Sequence, residues 1–180
     1  MTKVSKFISL LLRHHPEVLH LNMDEHGWVS VTDLVEGINQ GQPFTLEDLQ
    51  TIVAADKKQR YSFNEDGSKI RANQGHSVDV DLELEPTCPP DVLYHGSATR
   101  FQASIQQQGL LPQSRLYVHL SRDIETAKDV GKRHGKVIVY SINTKQMVQD
   151  GYLFYLSKNK VWLTKAVPTK YLEVMKEESL

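Results

Sequence analysis

Arg13 and His14 follow the apolar pair Leu11-Leu12 and stand just before Pro16. Proline disfavours helix at the residue before it, so this pair is predicted at the C-terminal end of a first helix. Arginine carries a planar, permanent charge suited to phosphate. The histidine beside it can move a proton near neutral pH or simply hold an anion. A plainer reading has two cations complementing a helix dipole. Further chemistry-bearing runs follow: Lys57-Lys58-Gln59-Arg60-Tyr61, Ile70-Arg71-Ala72-Asn73-Gln74-Gly75-His76-Ser77 and Leu93-Tyr94-His95-Gly96-Ser97. Later come Ser114-Arg115-Leu116-Tyr117-Val118-His119-Leu120-Ser121 and Asn159-Lys160-Val161-Trp162-Leu163-Thr164. The chain has no Walker loop, Gly-x-Gly-x-x-Gly fingerprint, Gly-x-Ser-x-Gly elbow or His-Glu-x-x-His helix. Its eight histidines show no metal-ligand spacing, and no metal is expected.

The elements that position these residues are legible in the pattern. Val4, Phe7, Ile8, Leu11 and Leu12 share one face of a helix over about Val4–His14. Gly27 to Val31 reads as a short strand or staple. Ser30 and Asp33 have capping-box spacing for a helix over Val31–Asn39, and Thr45 and Asp48 repeat it for a third, carrying Leu46, Leu49, Ile52 and Val53. Arg60 to Phe63 and Lys69 to Ala72, around Asp66-Gly67, predict a hairpin. Three helices followed by a hairpin is the order of a winged helix, which serves nucleic-acid binding or plain protein interaction. Residues 79–90 predict a linker or an exposed edge strand, with Asp79, Asp81, Glu83 and Glu85 alternating with Val80, Leu82 and Leu84 ahead of three prolines.

The second half predicts strands at Val92–Gly96, Leu116–Leu120, Lys136–Ile142, Tyr152–Leu156 and Val161–Thr164. Helices are predicted over about Arg100–Gln108, ending at Gly109, over Asp123–His134, and in a short stretch ending near Gly151. The organisation is therefore α+β, with segments 1–78, 79–90 and 91–180.

Length and charge bound the function. At 180 residues the chain accommodates one domain or two small lobes. One cysteine, Cys88, excludes an internal disulfide and suits a reducing cytoplasm. No stretch reaches the length of a membrane span. The net charge of −1 argues against a general nucleic-acid binder, but its distribution is uneven. Residues 1–78 carry 8 Lys+Arg against 10 Asp+Glu, residues 79–90 four acids and no base, and residues 91–180 carry 13 Lys+Arg against 8 Asp+Glu. A half at +5 fits a ligand with a few phosphates better than a long duplex. Trp28 and Trp162 read as core. Lys57 and Lys58 read as a solvated helix end that can touch a nucleic-acid backbone.

Taken in order, these six motifs resemble the RNA 2′-phosphotransferase family over about Lys6–Pro168. The resemblance implies an NAD-dependent enzyme that strips an internal 2′-phosphate from RNA, tRNA-like in character. It implies an N-terminal winged-helix RNA lobe and a C-terminal ADP-ribosyltransferase-like NAD lobe. The family's Arg-His-Arg-Arg tetrad falls on Arg13, His14, Arg60 and Arg115. His95, Gly96, Ser97, His119, Ser121, Val161 and Arg133 fall in the NAD-binding region, with Lys132 beside the last as a further pyrophosphate contact. Val161 takes a signature position where related toxins carry glutamate; an anionic nucleophile needs no such base. Tyr61 and Ser97 replace the more common phenylalanine and threonine and keep their character. NAD is the implied co-substrate, with no metal, no membrane partner, a monomeric state and a cytoplasmic location. Two other readings stay open. One is an ADP-ribosyltransferase acting on a terminal nucleic-acid phosphate or a protein. The other is a winged-helix binding module without activity.

Overall fold

The computed structural model describes residues 2–175. Residue 1 and residues 176–180, at the outer ends of the first and last predicted segments, lie outside the described residues. The chain divides into two compact units, Met1–Glu83 and Leu84–Leu180.

In the first unit, α1 spans Lys3–Arg13 and begins where the Thr2 side chain accepts a hydrogen bond from the Ser5 N–H at 3.1 Å. Its apolar face is buried through Ile8, Leu11 and Leu12, each fully excluded from solvent. Each such side chain stabilises by about 1.5–3 kcal/mol relative to exposure. His14 leaves the helix at φ −131° and ψ −44°. Pro16 then opens a 3₁₀ turn over Pro16–Leu19, which hydrophobic periodicity does not signal. β1 is Val29–Ser30, α2 is Val31–Asn39 and α3 is Leu46–Ala55. The Ser30 side chain caps α2 by accepting from the Asp33 N–H. At α3 the capping box is complete, since the Asp48 carboxylate also accepts from the Thr45 N–H at 2.8 Å. β2 (Tyr61–Phe63) and β3 (Lys69–Ala72) form the predicted hairpin, and the antiparallel sheet runs β1-β3-β2. Tyr61 pairs with Ala72, and its buried phenol donates to the Ser5 carbonyl at 3.0 Å.

Of the two expectations for 79–90, a linker or an exposed edge strand, the strand does not form at 79–85. Backbone groups there are taken by a turn instead. The Asp81 N–H donates to the Glu25 carbonyl at 2.8 Å, and the Asp81 carbonyl accepts from His26 Nδ1. Glu83 has φ +58°, and Leu82 is buried. Pro86 makes an isolated bridge to Tyr155.

In the second unit, β4 (Val92–Ala98) leads through a 3₁₀ turn, Thr99–Phe101, into α4 (Gln102–Gln108). β5 (Val118–Leu120), α5 (Ile124–Gly131), β6 (Val137–Asn143) and α6 (Thr144–Gln149) follow. β7 (Tyr155–Leu156), β8 (Trp162–Thr164) and β9 (Leu172–Val174) complete it. Two antiparallel sheets result, ordered β4-β6-β9 and β5-β8-β7. They are stitched by paired backbone hydrogen bonds between Tyr94 and Ser121, at 2.8 and 2.7 Å. β9 was not expected, because three residues after a short turn carry too little alternation to read. Trp162 is buried as predicted, whereas Trp28 is half-buried beneath the Arg71 guanidinium, 4.4 Å from its ring. The architecture is α+β. Among the described residues no helix is long and apolar enough to cross a membrane.

Gly96 fixes how β4 and α5 pack. A Cβ there would lie 1.6 Å from the Ala127 carbonyl oxygen, so only glycine admits the helix backbone. Gly96→Ala is expected to cost about 3 kcal/mol or more, as overpacking against rigid backbone does. Gly41→Ala, whose nearest neighbour would be 3.8 Å away, is the near-neutral control. Urea unfolding of both variants tests this; equal midpoints would refute it.

Candidate functional site

In the first unit, Arg13, His14 and Arg60 are all tethered to the run that leaves β3. The Ser77 N–H donates to the Arg13 carbonyl at 2.9 Å, and its Oγ lies 2.8 Å from His14 Nδ1. Gly75, at φ +90°, lies against Arg13; a Cβ there would come within 3.2 Å of Arg13 Nε. The Asn73 N–H donates to the Arg60 carbonyl at 2.8 Å. Buried Asn73 also donates through Nδ2 to the Gln59 carbonyl at 2.6 Å and accepts from Ser62 Oγ at 2.8 Å. That fixes the turn in which Gln59 adopts φ +45° just before Arg60. Asp56, the residue ending α3, accepts from the Arg60 N–H at 2.8 Å and pairs closely with its guanidinium. Asp56 neutralises part of the arginine's charge and aims its fork. His15 turns aside to Glu17, its Nδ1 2.9 Å from the carboxylate, and this neighbour holds that carboxylate below its usual range. Lys57 and Lys58 are exposed.

His76 is a residue that sequence reasoning left without a role. It is 1% exposed, and neither ring nitrogen meets a hydrogen-bond partner among the described residues. Burial, followed by the charges of Arg13, Arg71 and His14, pushes its pKa down to about 4. It is therefore a neutral imidazole, which adds no charge to the basic cluster.

In the second unit, His95 lies on β4 and donates from Nδ1 to the His119 carbonyl at 2.9 Å. A carbonyl only accepts, so the Nδ1 carries hydrogen and, in the neutral ring, Nε2 is an acceptor. Desolvation pushes the His95 pKa below its ordinary value and keeps that form, opposed by the carbonyl contact and aided by His134. Arg115 Nη1 lies 3.1 Å from His119 Nδ1. Guanidinium only donates, so His119 Nδ1 must accept, which requires the neutral tautomer protonated at Nε2. Desolvation, then the charge of Arg133, lowers the Arg115 pKa. Two guanidinium groups sharing a field favour an anion between or beside them.

The other predicted residues occupy distinct places. Gly96 and Ser97 continue β4, opposite Val139 and Ile138, and Ser97 is buried. Ser121 is joined to Tyr94 through its backbone. Val161 leaves the turn 157–160, donating its N–H to Ser157 Oγ at 2.9 Å, and directly precedes Trp162, which pairs with Leu120. Lys132 faces Asp129 at 3.6 Å. The structure thus gathers His95, His119 and Arg115 by direct contact and Arg133 by its field. It gathers Arg13, His14 and Arg60 through residues 73–77. Among the described residues no group of three or more His, Cys, Asp or Glu could hold a metal ion. Asn73 and Ser77, within a sequence motif, and Asp56, just ahead of another, are supporting residues whose use the sequence did not indicate.

Comparison with known proteins places these features in context. A sequence model described as "RNA 2'-phosphotransferase, Tpt1 / KptA family" matches residues 1–166. A protein of Hahella chejuensis named "Probable RNA 2'-phosphotransferase" is 51% identical over 172 residues, covering 95% of this chain and 92% of its own. One of the same name from Fusobacterium nucleatum subsp. nucleatum is 50% identical over 173 residues, covering 95% and 97%. Another, from Acaryochloris marina, is 51% identical over 169 residues, covering 93% of each.

The buried neutral His76 gives a pH signature. The unfolded chain takes up this proton near the ordinary histidine pKa of 6.5, whereas the folded chain resists until about pH 4. Stability is thus fully present above about 6.5 and falls as pH drops toward 4, by at most about 3 kcal/mol from this group. His76→Leu is expected to flatten that part of the profile, read from Trp28 fluorescence in a Trp162→Phe background. An unchanged slope would remove His76 as its source.

Proposed function

This chain belongs to the RNA 2′-phosphotransferase family, and from that premise we propose that it transfers an internal RNA 2′-phosphate to NAD. The observation that carries the reading is the common tether of Arg13, His14 and Arg60 on residues 73–77. The tether fixes the main chain from which two guanidinium groups project, together with the His14 imidazole, and these groups suit a dianionic phosphate rather than a neutral ligand. The first unit supplies a winged-helix RNA lobe, supported by its order of three helices and a hairpin. The second supplies an ADP-ribosyltransferase-like NAD lobe. His95 fits NAD there: with Nδ1–H committed to a carbonyl, Nε2 can accept a hydrogen bond from a ribose hydroxyl. Arg115 and Arg133 offer positive charge for pyrophosphate or transferring phosphate. Gly96, Ser97, His119, Ser121 and Val161 line the same NAD region.

The reaction proceeds in two halves. An oxygen of the RNA 2′-phosphate forms a bond to C1 of the nicotinamide-side ribose, and the C1–N bond breaks to release nicotinamide. The product is RNA whose 2′-phosphate carries ADP-ribose. The neighbouring ribose 2-hydroxyl then attacks phosphorus, and the bond to the RNA 2′-oxygen breaks. RNA with a 2′-hydroxyl and ADP-ribose 1″,2″-cyclic phosphate leave. The phosphate arrives as an anion, so no carboxylate base is needed in the first half. Guanidinium groups orient it and stabilise charge at phosphorus, the role that membership of the family suggests for Arg13, Arg60 and Arg115. In the second half His14 takes the attacking hydroxyl proton, gives one to the departing RNA oxygen, or holds the phosphate. The enzyme works as a cytoplasmic monomer, and its RNA is tRNA-like.

Incubation with a short RNA bearing one internal 2′-phosphate, with and without NAD, in EDTA, tests the proposal. Dephosphorylated RNA and ADP-ribose cyclic phosphate are expected only with NAD. Arg13→Ala, Arg60→Ala or Arg115→Ala should each lose about 10²–10³ in rate, as removal of one charge-stabilising donor does. Stable ADP-ribosylated RNA from the unaltered protein would indicate the transferase alternative. No reaction and no NAD binding would leave a binding module.

A further inference from the structure

The reading above gives His14 chemistry but no means of choosing a ring nitrogen. Its neighbour Ser77 supplies one. We propose that Ser77 is a positioning residue that holds the His14 imidazole through Nδ1, so that Nε2 is the atom that meets the phosphate. This inference rests on the phosphotransferase reading.

Two bonds from one residue make the case. The Ser77 N–H is bound to the Arg13 carbonyl at 2.9 Å, and the Val78 N–H reaches the same oxygen at 3.4 Å. These bonds fix the Ser77 backbone against the last turn of α1. Its Oγ, 2.8 Å from His14 Nδ1, therefore has a defined place relative to the next residue's ring. Sixty-three residues separate the two side chains in sequence, so the pairing depends on the fold. His14 itself sits outside helical geometry, at φ −131°, where the helix does not dictate its side-chain direction. A separate contact must set it.

The chemical type also fits. A hydroxyl both donates and accepts. It accepts from Nδ1–H when Nε2 is a base and after Nε2 has taken a proton. It donates to Nδ1 when Nε2–H is the donor to a phosphate oxygen. A carboxylate at this position would favour only the protonated or Nδ1–H forms. Serine thus orients the ring without fixing its charge, and His14 can pass a proton in either direction. Ser77 is exposed, so its side-chain contact adds little to folding. Orientation is what it provides.

The test uses the full chain and the variants Ser77→Ala and Ser77→Thr. Long-range ¹H–¹⁵N spectra report the Nδ1 and Nε2 resonances of His14, assigned by their loss in His14→Gln. Ser77→Ala should shift both resonances, and Ser77→Thr should restore them. With 2′-phosphorylated RNA and NAD, Ser77→Ala should lower kcat about 10- to 100-fold, the scale of a misplaced catalytic group. KM for each substrate should stay within about 2-fold, and the pH profile should move along its acid limb. Ser77→Thr should recover both. Unaltered resonances overturn the inference. So does wild-type turnover in Ser77→Ala, or a loss that Ser77→Thr fails to rescue. An unaltered protein inactive on this RNA would instead overturn the functional reading, and the resonances would still decide whether Ser77 holds His14.

Discussion

The first unit depends on where the chain goes after β3. A β-hairpin that simply ended at Ala72 would leave the end of α1 and the turn before Arg60 unconnected. Instead, residues 73–78 continue past both, and the N–H groups of Asn73, Ser77 and Val78 bond to the Arg60 and Arg13 carbonyls. Main-chain bonds of this kind satisfy groups that a helix end leaves without partners. The same bonds bring side chains into place. Asn73 closes the turn before Arg60, Gly75 leaves room for Arg13, and Ser77 reaches His14. Apolar burial of Ile8, Leu11 and Leu12 supplies the stability that keeps α1 in position for this arrangement.

In the second unit the ordering is set by the direction of hydrogen bonds. A backbone carbonyl decides which His95 nitrogen carries the proton, and a guanidinium decides which His119 nitrogen cannot. Both rings are defined by partners that have no choice of role. The result is a chain in which His119 uses its main chain toward one residue and its side chain toward another. Its place on β5, opposite Leu163, keeps both contacts within a short, paired strand.

Much of this was legible in the sequence where the signal is local. The helix over Val31–Asn39 has its expected bounds because Ser30 supplies the cap and Leu34 and Ile38 the buried face. The hairpin followed from Asp66-Gly67 between two apolar runs, and β6 from its valines and isoleucines. What was not legible depends on distant partners. Alternating charges at 79–85 left a linker and an edge strand both open, and what excludes the strand is that Asp81 bonds to the turn at Glu25 and His26. The predicted helix from Arg100 begins as a 3₁₀ turn, and β9 exists only through its pairing with β6. For the site, Arg13, His14, Arg60 and Arg115 stood out by type and motif. Asp56, Asn73 and Ser77 did not, because a carboxylate, an amide and a hydroxyl have many ordinary uses, and only their long-range contacts give them one here.

The run from Asn73 to Ser77 also works as a ruler. It anchors one basic residue at its start and an imidazole at its end, and four Cα steps span at most about 14 Å. Other turns of this unit are anchored as well, the hairpin tip through the Val31 N–H on the Ser68 carbonyl and the 40–44 breaker through the Phe44 N–H on Asn39 Oδ1, but neither bears a residue of the candidate site. One residue added between 73 and 77 would put the two anchors out of step, leaving Arg60 and His14 each well formed but no longer registered to a common group. The length of this one segment therefore sets the distance between two of the unit's site motifs.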